Sequence, residues 1–299
     1  MPIHLLPTRR AFLGRLAAGG ASLALVGKAQ AAPRDDAPTW FALVADTHIA
    51  ADPRARHRGQ CMTDNLRAVV SEILAQADPP RGVIIDGDLA LKDGQPGDYE
   101  QLLQLTGPLR RADLPLHLAL GNHDDRAHFR AALDAKPPAE SEISDKQIGI
   151  VEEAGLRLVL LDSLDRVNGT PGLLGERQLA WLARHLDEKP EAPTLLFVHH
   201  NLADSPTALL DTEALLTVVR PRRQVKAVVF GHTHVWSVRD DDGLHLINLP
   251  AVAYPFASNQ PLGWCRLQPG PEGAKLTLHA IGGDRSRDGQ QLRLRWRTL

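Results

Sequence analysis

Five short apolar runs punctuate this chain, at residues 40–45, 83–85, 116–120, 195–198 and 225–230. They are rich in Val, Ile, Leu and Phe, and they are too short for stable helices, so the pattern predicts buried strands. Between them, apolar residues recur at helical spacing. Residues 63–76 carry Leu66, Val69, Val70, Ile73 and Leu74, and residues 98–110 carry Leu102, Leu103 and Leu105. Residues 126–133 predict a short helix, 175–186 an amphipathic one (Leu179, Trp181, Leu182, Leu186), and 207–219 another. Residues 148–151 and 156–161 predict a hairpin turned at Glu153-Ala154-Gly155. From residue 235 the pattern changes to short strands, at 236–239, 244–249, 263–267, 275–280 and 292–296. Strand–helix alternation followed by a run of strands predicts an α/β protein of layered sheets flanked by helices.

The amino terminus follows a different pattern. Thr8-Arg9-Arg10-Ala11-Phe12-Leu13 precedes an apolar stretch at 16–26, and Ala29-Gln30-Ala31 supplies small residues suited to cleavage. This order is that of a secretory signal, and the paired arginines resemble the twin-arginine export class. The expected organisation is a signal at 1–31, a polar linker at 32–38 and one domain at 39–299, exported to the periplasm or outside by the export machinery. An uncleaved membrane anchor is the rival, disfavoured because the stretch is short of the roughly 18–20 residues that span a bilayer.

Removing the signal changes the charge. Residues 1–31 hold four basic residues and no acidic ones, so 30 of the 34 basic residues remain against 36 acidic, a net of −6. That excludes the basic surface of a nucleic-acid binder, and no nucleic-acid polymer is expected as a partner. The basic tail 293–297 alternates with Leu and Trp and predicts an edge strand with one solvated face. Cys61 and Cys265 either pair in an oxidising compartment or stay as two thiols. Oligomeric state is not legible.

Each of the five leading strands ends in a polar motif. These are Asp46-Thr47-His48, Gly87-Asp88, Gly121-Asn122-His123-Asp124, His199-His200 and Gly231-His232-Thr233-His234. Strand ends in α/β sheets converge on one crevice, so motifs distant in sequence can meet. Carboxylate, imidazole and amide donors suit borderline divalent ions (Mn, Fe, Zn or Co), and no thiolate specifies a softer site. A bridging ligand needs two oxygen donors, which a carboxylate has and an imidazole lacks.

The ordered series D-x-H, G-D, G-N-H-D, H-H and G-H-x-H resembles the calcineurin-like metallophosphoesterases, specifically the bacterial cyclic nucleotide and glycerophosphodiester phosphodiesterase class. The resemblance implies a four-layer α/β/β/α sandwich and two divalent metal ions. Asp46, His48 and His234 would hold the first ion, Asn122, His199 and His232 the second, and Asp88 would bridge them. It further implies hydrolysis of a small phosphodiester by a metal-bridging hydroxide, with His123 as proton donor and Asp124 orienting it. Such a core, with hydroxide, is left near +1, which complements a phosphate anion. The purple acid phosphatase pattern is not met, because His48 stands where it has glycine and Leu89-Ala90-Leu91 follow Asp88 without its tyrosine.

Adjacent residues of an extended segment point to opposite sides, so only one of His199 and His200 is a ligand. The resemblance selects His199, leaving His200 as a substrate contact. The loop 49–60 carries Arg54, Arg56, His57 and Arg58; Arg54 and His57 are candidate phosphate contacts, against a merely solvated basic loop. Tyr254, Asn259 and Trp264 are weaker pocket candidates. Asp86 is expected to bond locally at its strand end, and His117, His128, His185 and His245 to be ordinary packing or surface residues. Two alternatives remain open: an exported phosphomonoesterase or nucleotidase, and a non-catalytic metal-binding relative.

Overall fold

The computed structural model describes residues 40–134, 143–153 and 155–299; the signal and linker expected at 1–38 lie outside them. In chain order the strands are β1 (Phe41–Ala45), β2 (Arg56–His57), β3 (Gln60–Cys61), β4 (Gly82–Asp86), β5 (Leu116–Ala119), β6 (Gly149–Glu153), β7 (Leu156–Leu160), β8 (Thr194–Phe197), β9 (Val225–Phe230), β10 (Ser237–Asp241), β11 (Leu244–Asn248), β12 (Pro261–Gly270), β13 (Gly273–Gly283) and β14 (Gln291–Arg295). The helices are α1 (Met62–Leu74), α2 (Pro96–Leu105), α3 (Gly107–Arg111), α4 (Arg126–Ala132), α5 (Glu176–Asp187) and α6 (Thr212–Val219).

Strand alternation sorts the apolar residues into three cores, and the cores define the layers. Along β1, Ala42 and Val44 face outward with Trp40, against Leu66 and Val69 of α1 and Leu102 of α2. Phe41, Leu43 and Ala45 face inward, where they meet Leu158, Leu195, Phe197 and Val229 of a second sheet. On the far side of that sheet, Val159, Leu196 and Val228 pack under Leu182 of α5 and Leu215 of α6. The strands that end in the motifs, β1, β4, β5, β8 and β9, are thus buried on both faces, which is why they read as apolar runs. The result is the four-layer α/β/β/α order expected from the sequence.

The first sheet has the order β14-β13-β12-β1-β4-β5 and the second β10-β11-β9-β8-β7-β6. β1, β4 and β5 run parallel, as do β7, β8, β9 and β11. The carboxyl ends of these parallel strands carry the motifs. The late run of strands divides between the sheets: β10 and β11 extend the second, while β12 returns antiparallel to β1 in the first.

Several expectations shift. The helix expected over 98–110 is two, α2 and α3. Pro108 has no N–H to donate to the Gln104 carbonyl, so the first helix ends at Leu105. The helix expected over 207–219 begins only at Thr212. Before it, Leu209 N–H donates to the Asn201 carbonyl (3.0 Å) and Leu210 N–H to that of Gly172 (2.9 Å), so this backbone is committed elsewhere. Cys61 and Cys265 are both free and buried. Cys265 lies in the inter-sheet core and Cys61 precedes α1 on the outer side, so the first sheet separates them. No helix among the described residues is long and apolar enough to cross a membrane.

β14 is an edge strand with Arg293 and Arg295 exposed, but Arg297 is buried rather than solvated. Its guanidinium donates to the carbonyls of Val219, Arg220, Arg222 and Val225, capping the end of α6 and joining the carboxyl terminus to the second sheet. Arg297→Met should therefore lower the unfolding free energy by about 2–3 kcal/mol, since several charge-assisted bonds are lost and carbonyls are left unpaired. A denaturant titration checks this; an unchanged midpoint would refute the capping role.

Candidate metal centre

The motif residues leave their strands by sharp left-handed turns. Asp46 (φ 53°), His48 (45°), Asp88 (45°), His232 (68°) and His234 (53°) all adopt positive φ, a conformation uncommon for residues with a Cβ. Strand pairing continues into this region: His48 N–H donates to the Asp88 carbonyl and Ile49 N–H to that of Leu89, both at 2.9 Å. The motif glycines make room for side chains. A Cβ on Gly87 would lie under 3.0 Å from the His199 ring, one on Gly121 equally close to the Asp88 carboxylate, and one on Gly231 to that of Asp46.

These turns bring together residues from five strand ends. Asp46, His48 and His234 offer donor atoms within 4.8 Å of one another, as do Asp88, His199 and His232, and also His48, Asp88 and His123. Asp88 Oδ2 lies 3.5 Å from His48 Nε2 and 3.2 Å from His199 Nε2, so it stands between the first two groups. Its other oxygen accepts the His123 N–H at 2.9 Å. Asp46 Oδ1 is 3.5 Å from His234 Nε2 and accepts the His232 N–H at 3.0 Å.

Backbone carbonyls orient the imidazoles. Nδ1 of His48 meets the Leu91 carbonyl (3.3 Å), that of His199 the Asp86 carbonyl (3.0 Å), that of His123 the Lys92 carbonyl (2.7 Å), and that of His234 the Tyr254 carbonyl. In the neutral ring each contact assigns the proton to Nδ1 and leaves Nε2 as a lone pair aimed inward. Two such lone pairs, on His48 and His234, then lie 3.2 Å apart, an arrangement that needs a cation or a proton between them. Asn122 Oδ1 and His199 Nε2 are buried without a hydrogen-bond partner. Facing lone pairs and an orphaned amide oxygen of this kind fit a metal centre.

Protonation follows the same logic. Burial pushes His48 and His232 down to about 4, so both are neutral at physiological pH. Burial also acts to raise Asp46 and Asp88, but the surrounding histidines outweigh it and hold both carboxyls below the usual range. His199 is lowered by burial but raised more by Asp88, Asp46 and Asp86, reaching about 10 in the metal-free protein. Asp86 is fully buried with both oxygens unpaired, and burial lifts it to about 8; the local bonding expected for it is not made.

The site opens into a cleft of about 380 Å³ lined by His48, Asp88, His123, His232, His234, Thr207, Thr233, Tyr254 and Phe256. Larger grooves on the surface border β14 and hold none of the motif residues. Asp124 does not meet the His123 ring. Its buried carboxylate accepts N–H groups of Leu89, Ala90 and Gly121 and the Tyr99 hydroxyl, pinning the loop after β4 to the loop after β5. The Lys92 carbonyl orients His123 instead. His200 is buried behind the centre, its Nδ1 2.8 Å from Ser163 Oγ. Arg54 is exposed and paired with Asp52, away from the cleft. His57 packs its ring on Tyr254, with centroids 4.6 Å apart. Tyr254 lines the cleft, Asn259 does not, and Trp264 is buried, bonded to Glu72. His117, His128, His185 and His245 lie outside the centre, bonded or packed as expected. The sequence reading missed Phe256 and Thr207. The pattern Tyr254-x-Phe256, two aromatics in a loop of a chain poor in them, was the available signal for the first.

The calcineurin-like phosphoesterase family pattern matches residues 39–236, and the chain belongs to that family; it is a metal-dependent phosphoric ester hydrolase. Among curated relatives, it is 30% identical over 254 residues to a "probable cyclic nucleotide phosphodiesterase" of Synechococcus, covering 82% of this chain and 93% of that one. It is 29% identical to the 3′,5′-cyclic adenosine monophosphate phosphodiesterase CpdA of Pseudomonas aeruginosa (75% and 80% covered). It is 26% identical to the glycerophosphodiester phosphodiesterase GpdQ of Enterobacter lignolyticus (72% and 77%). A dimetal phosphatase from Danio rerio superimposes with a TM-score of 0.67 at 18% identity, covering 87% of this chain and 100% of that one, a likeness of fold.

Because His199 keeps its proton until pH rises toward about 10, a cation must displace it. Loading the metal-free protein at pH 8 should release about one proton per chain, and apparent affinity should rise with pH above neutrality. Calorimetry in buffers of different ionisation enthalpy measures this; buffer-independent heats would contradict it.

Proposed function

We propose that this chain hydrolyses small phosphodiesters at two adjacent divalent ions. Asp46, His48 and His234 would hold one, Asn122, His199 and His232 the other, and Asp88 would serve both. The observation that carries this reading is Asp88 Oδ2, placed 3.5 Å from His48 Nε2 and 3.2 Å from His199 Nε2, one from each group. The donor set suits Mn, Fe, Zn or Co. When bound, such ions supply Lewis acidity to phosphoryl oxygens and lower the pKa of water enough for it to attack at neutral pH.

The protein's own groups do the rest. His123 is held by the Lys92 carbonyl through Nδ1, which turns Nε2 toward the cleft, where a protonated ring can donate to the leaving oxygen. The imidazoles of His48 and His232, neutral from about pH 4 upward, are ready as ligands without losing a proton. A diester is favoured over a monoester because the residues lining the cleft include no Lys or Arg to balance a second phosphate charge. The names of the relatives support the same substrate class.

We further propose export by the twin-arginine route, which the order Arg9-Arg10, apolar stretch, Ala29-Gln30-Ala31 supports. The substrates would then be diesters met outside the cytoplasm. Lysine at both Arg9 and Arg10 should retain the protein in the cytoplasm, read by fractionation; unchanged export would reject this route.

The activity itself is tested with bis(p-nitrophenyl) phosphate and Mn²⁺. Asp88→Asn should abolish turnover and lower metal content. His123→Ala should slow kcat about 10²–10⁴-fold while metal content stays near normal. Turnover unaffected by His123→Ala would remove His123 from the mechanism, and a metal-loaded parent without activity would favour a narrow monoesterase or a binding protein.

A further inference from the structure

One wall of the cleft is aromatic, lined by Tyr254 and Phe256, and a second segment packs on those two rings from outside the lining. Tyr254 and Phe256 follow β11, while His57 and Arg58 belong to the β2–β3 hairpin. The Phe256 ring stacks on the imidazole of His234, centroids 4.2 Å apart and planes 17° apart. It is nonetheless 52% exposed, the one aromatic among the exposed large apolar side chains of the described residues. Shielding His234 would need only one face of the ring.

Over this ring lies the Arg58 guanidinium, 4.9 Å from its centroid. Arg58 sits at the hairpin tip with φ 48°, followed by Gly59 at φ 80°. Two successive left-handed residues make the tight turn that usually takes Asn-Gly, so arginine is strained there. Arg54 nearby has Asp52, whereas no carboxylate among the described residues pairs with Arg58. The guanidinium is a flat cation resting on an exposed aromatic face at the mouth of the centre, with no ion-pair partner among the described residues to hold it.

We propose that Phe256 is the stacking platform for the nucleobase of a nucleoside phosphodiester, and that the base takes the place Arg58 occupies in the free protein. This rests on the reading of the cleft as a phosphodiesterase site. A base held face to face on an aromatic ring is bound more strongly than an exposed guanidinium on the same ring, so the exchange is favourable. Glycerol and other aliphatic alcohols offer no π-face and would leave Arg58 in place. Phe256 therefore selects for nucleosides among diesters that share the same scissile phosphate.

Two esters with one leaving group test this: p-nitrophenyl thymidine 5′-phosphate and methyl p-nitrophenyl phosphate, on the Mn²⁺-loaded protein. The parent should prefer the nucleoside ester, chiefly through KM. Phe256→Ala should reduce the nucleoside-to-methyl ratio of kcat/KM about tenfold, with recovery in Phe256→Tyr. Arg58→Ala should keep or raise the ratio. Calorimetric affinity for adenosine 5′-monophosphate should fall about tenfold in Phe256→Ala, and fall less for inorganic phosphate. An unchanged ratio in Phe256→Ala would mean the ring only shields His234, and a ratio lost in Arg58→Ala would mean the guanidinium binds an anion; either overturns the proposal. If neither ester is cleaved by the loaded parent, the phosphodiesterase reading fails, while adenosine 5′-monophosphate binding still decides the platform.

Discussion

The carboxylate of Asp88 touches four strand ends at once. It follows β4, accepts the His123 N–H from the end of β5, and faces His48 from β1 and His199 from β8. Three of these strands belong to the first sheet and one to the second. A side chain shared in this way fixes the offset of the two sheets as firmly as their apolar faces do. Asp46 repeats the tie, because it belongs to the first sheet and accepts the His232 N–H from the second. The inter-sheet core of Phe41, Leu43, Leu195, Phe197 and Val229 then serves as a close-packed spacer. A shift of even a methyl group there would move one set of donors relative to the other.

This arrangement is costly in the metal-free chain. Five non-glycine residues sit in left-handed backbone, each at a cost of order ~1–3 kcal/mol. Buried polar atoms such as Asn122 Oδ1 and His199 Nε2 lack hydrogen-bond partners, and Asp86 is buried unpaired. Packing outside the centre must over-determine these turns. Asp124 is the clearest device: four hydrogen bonds from one buried carboxylate clamp the loops that carry Asp88 and His123. Its role is mechanical, although it stands beside His123 in the motif.

Much of this was legible in the sequence, because central strands buried on both faces must be apolar throughout and the polar motifs that end them stand out. What was hidden depends on which side a residue faces. In the run Leu195–Val198 both sides are apolar, so pattern alone cannot say whether His199 or His200 points inward. The structure settles the facing: Leu195 and Phe197 look into the inter-sheet core and Leu196 and Val198 toward the helices, so His199 continues the first set and His200 the second. Arg297 was misread for a related reason. Alternation extrapolated past Arg295 makes it solvated, but the strand ends there and the chain turns inward to cap α6. The motif glycines were visible, yet their cause, the close approach of Asp46, Asp88 and His199, is a tertiary fact.

The partners of the histidines bear on substrate charge. Metal-binding imidazoles are often steadied by carboxylates, which add negative charge behind the ligand. Here Leu91, Asp86, Lys92 and Tyr254 all contribute backbone carbonyls instead. A carbonyl fixes the ring and its tautomer as well as a carboxylate does, but carries no net charge. With the amide of Asn122 as a further neutral donor, the charged ligands of the proposed centre would reduce to Asp46 and Asp88. Two dications, as proposed, would face two carboxylates and leave a cationic floor to a cleft whose lining residues include neither Lys nor Arg. Attraction for phosphate would then come chiefly from the floor, and discrimination among esters would pass to the mouth, where this chain places aromatic rings and Arg58.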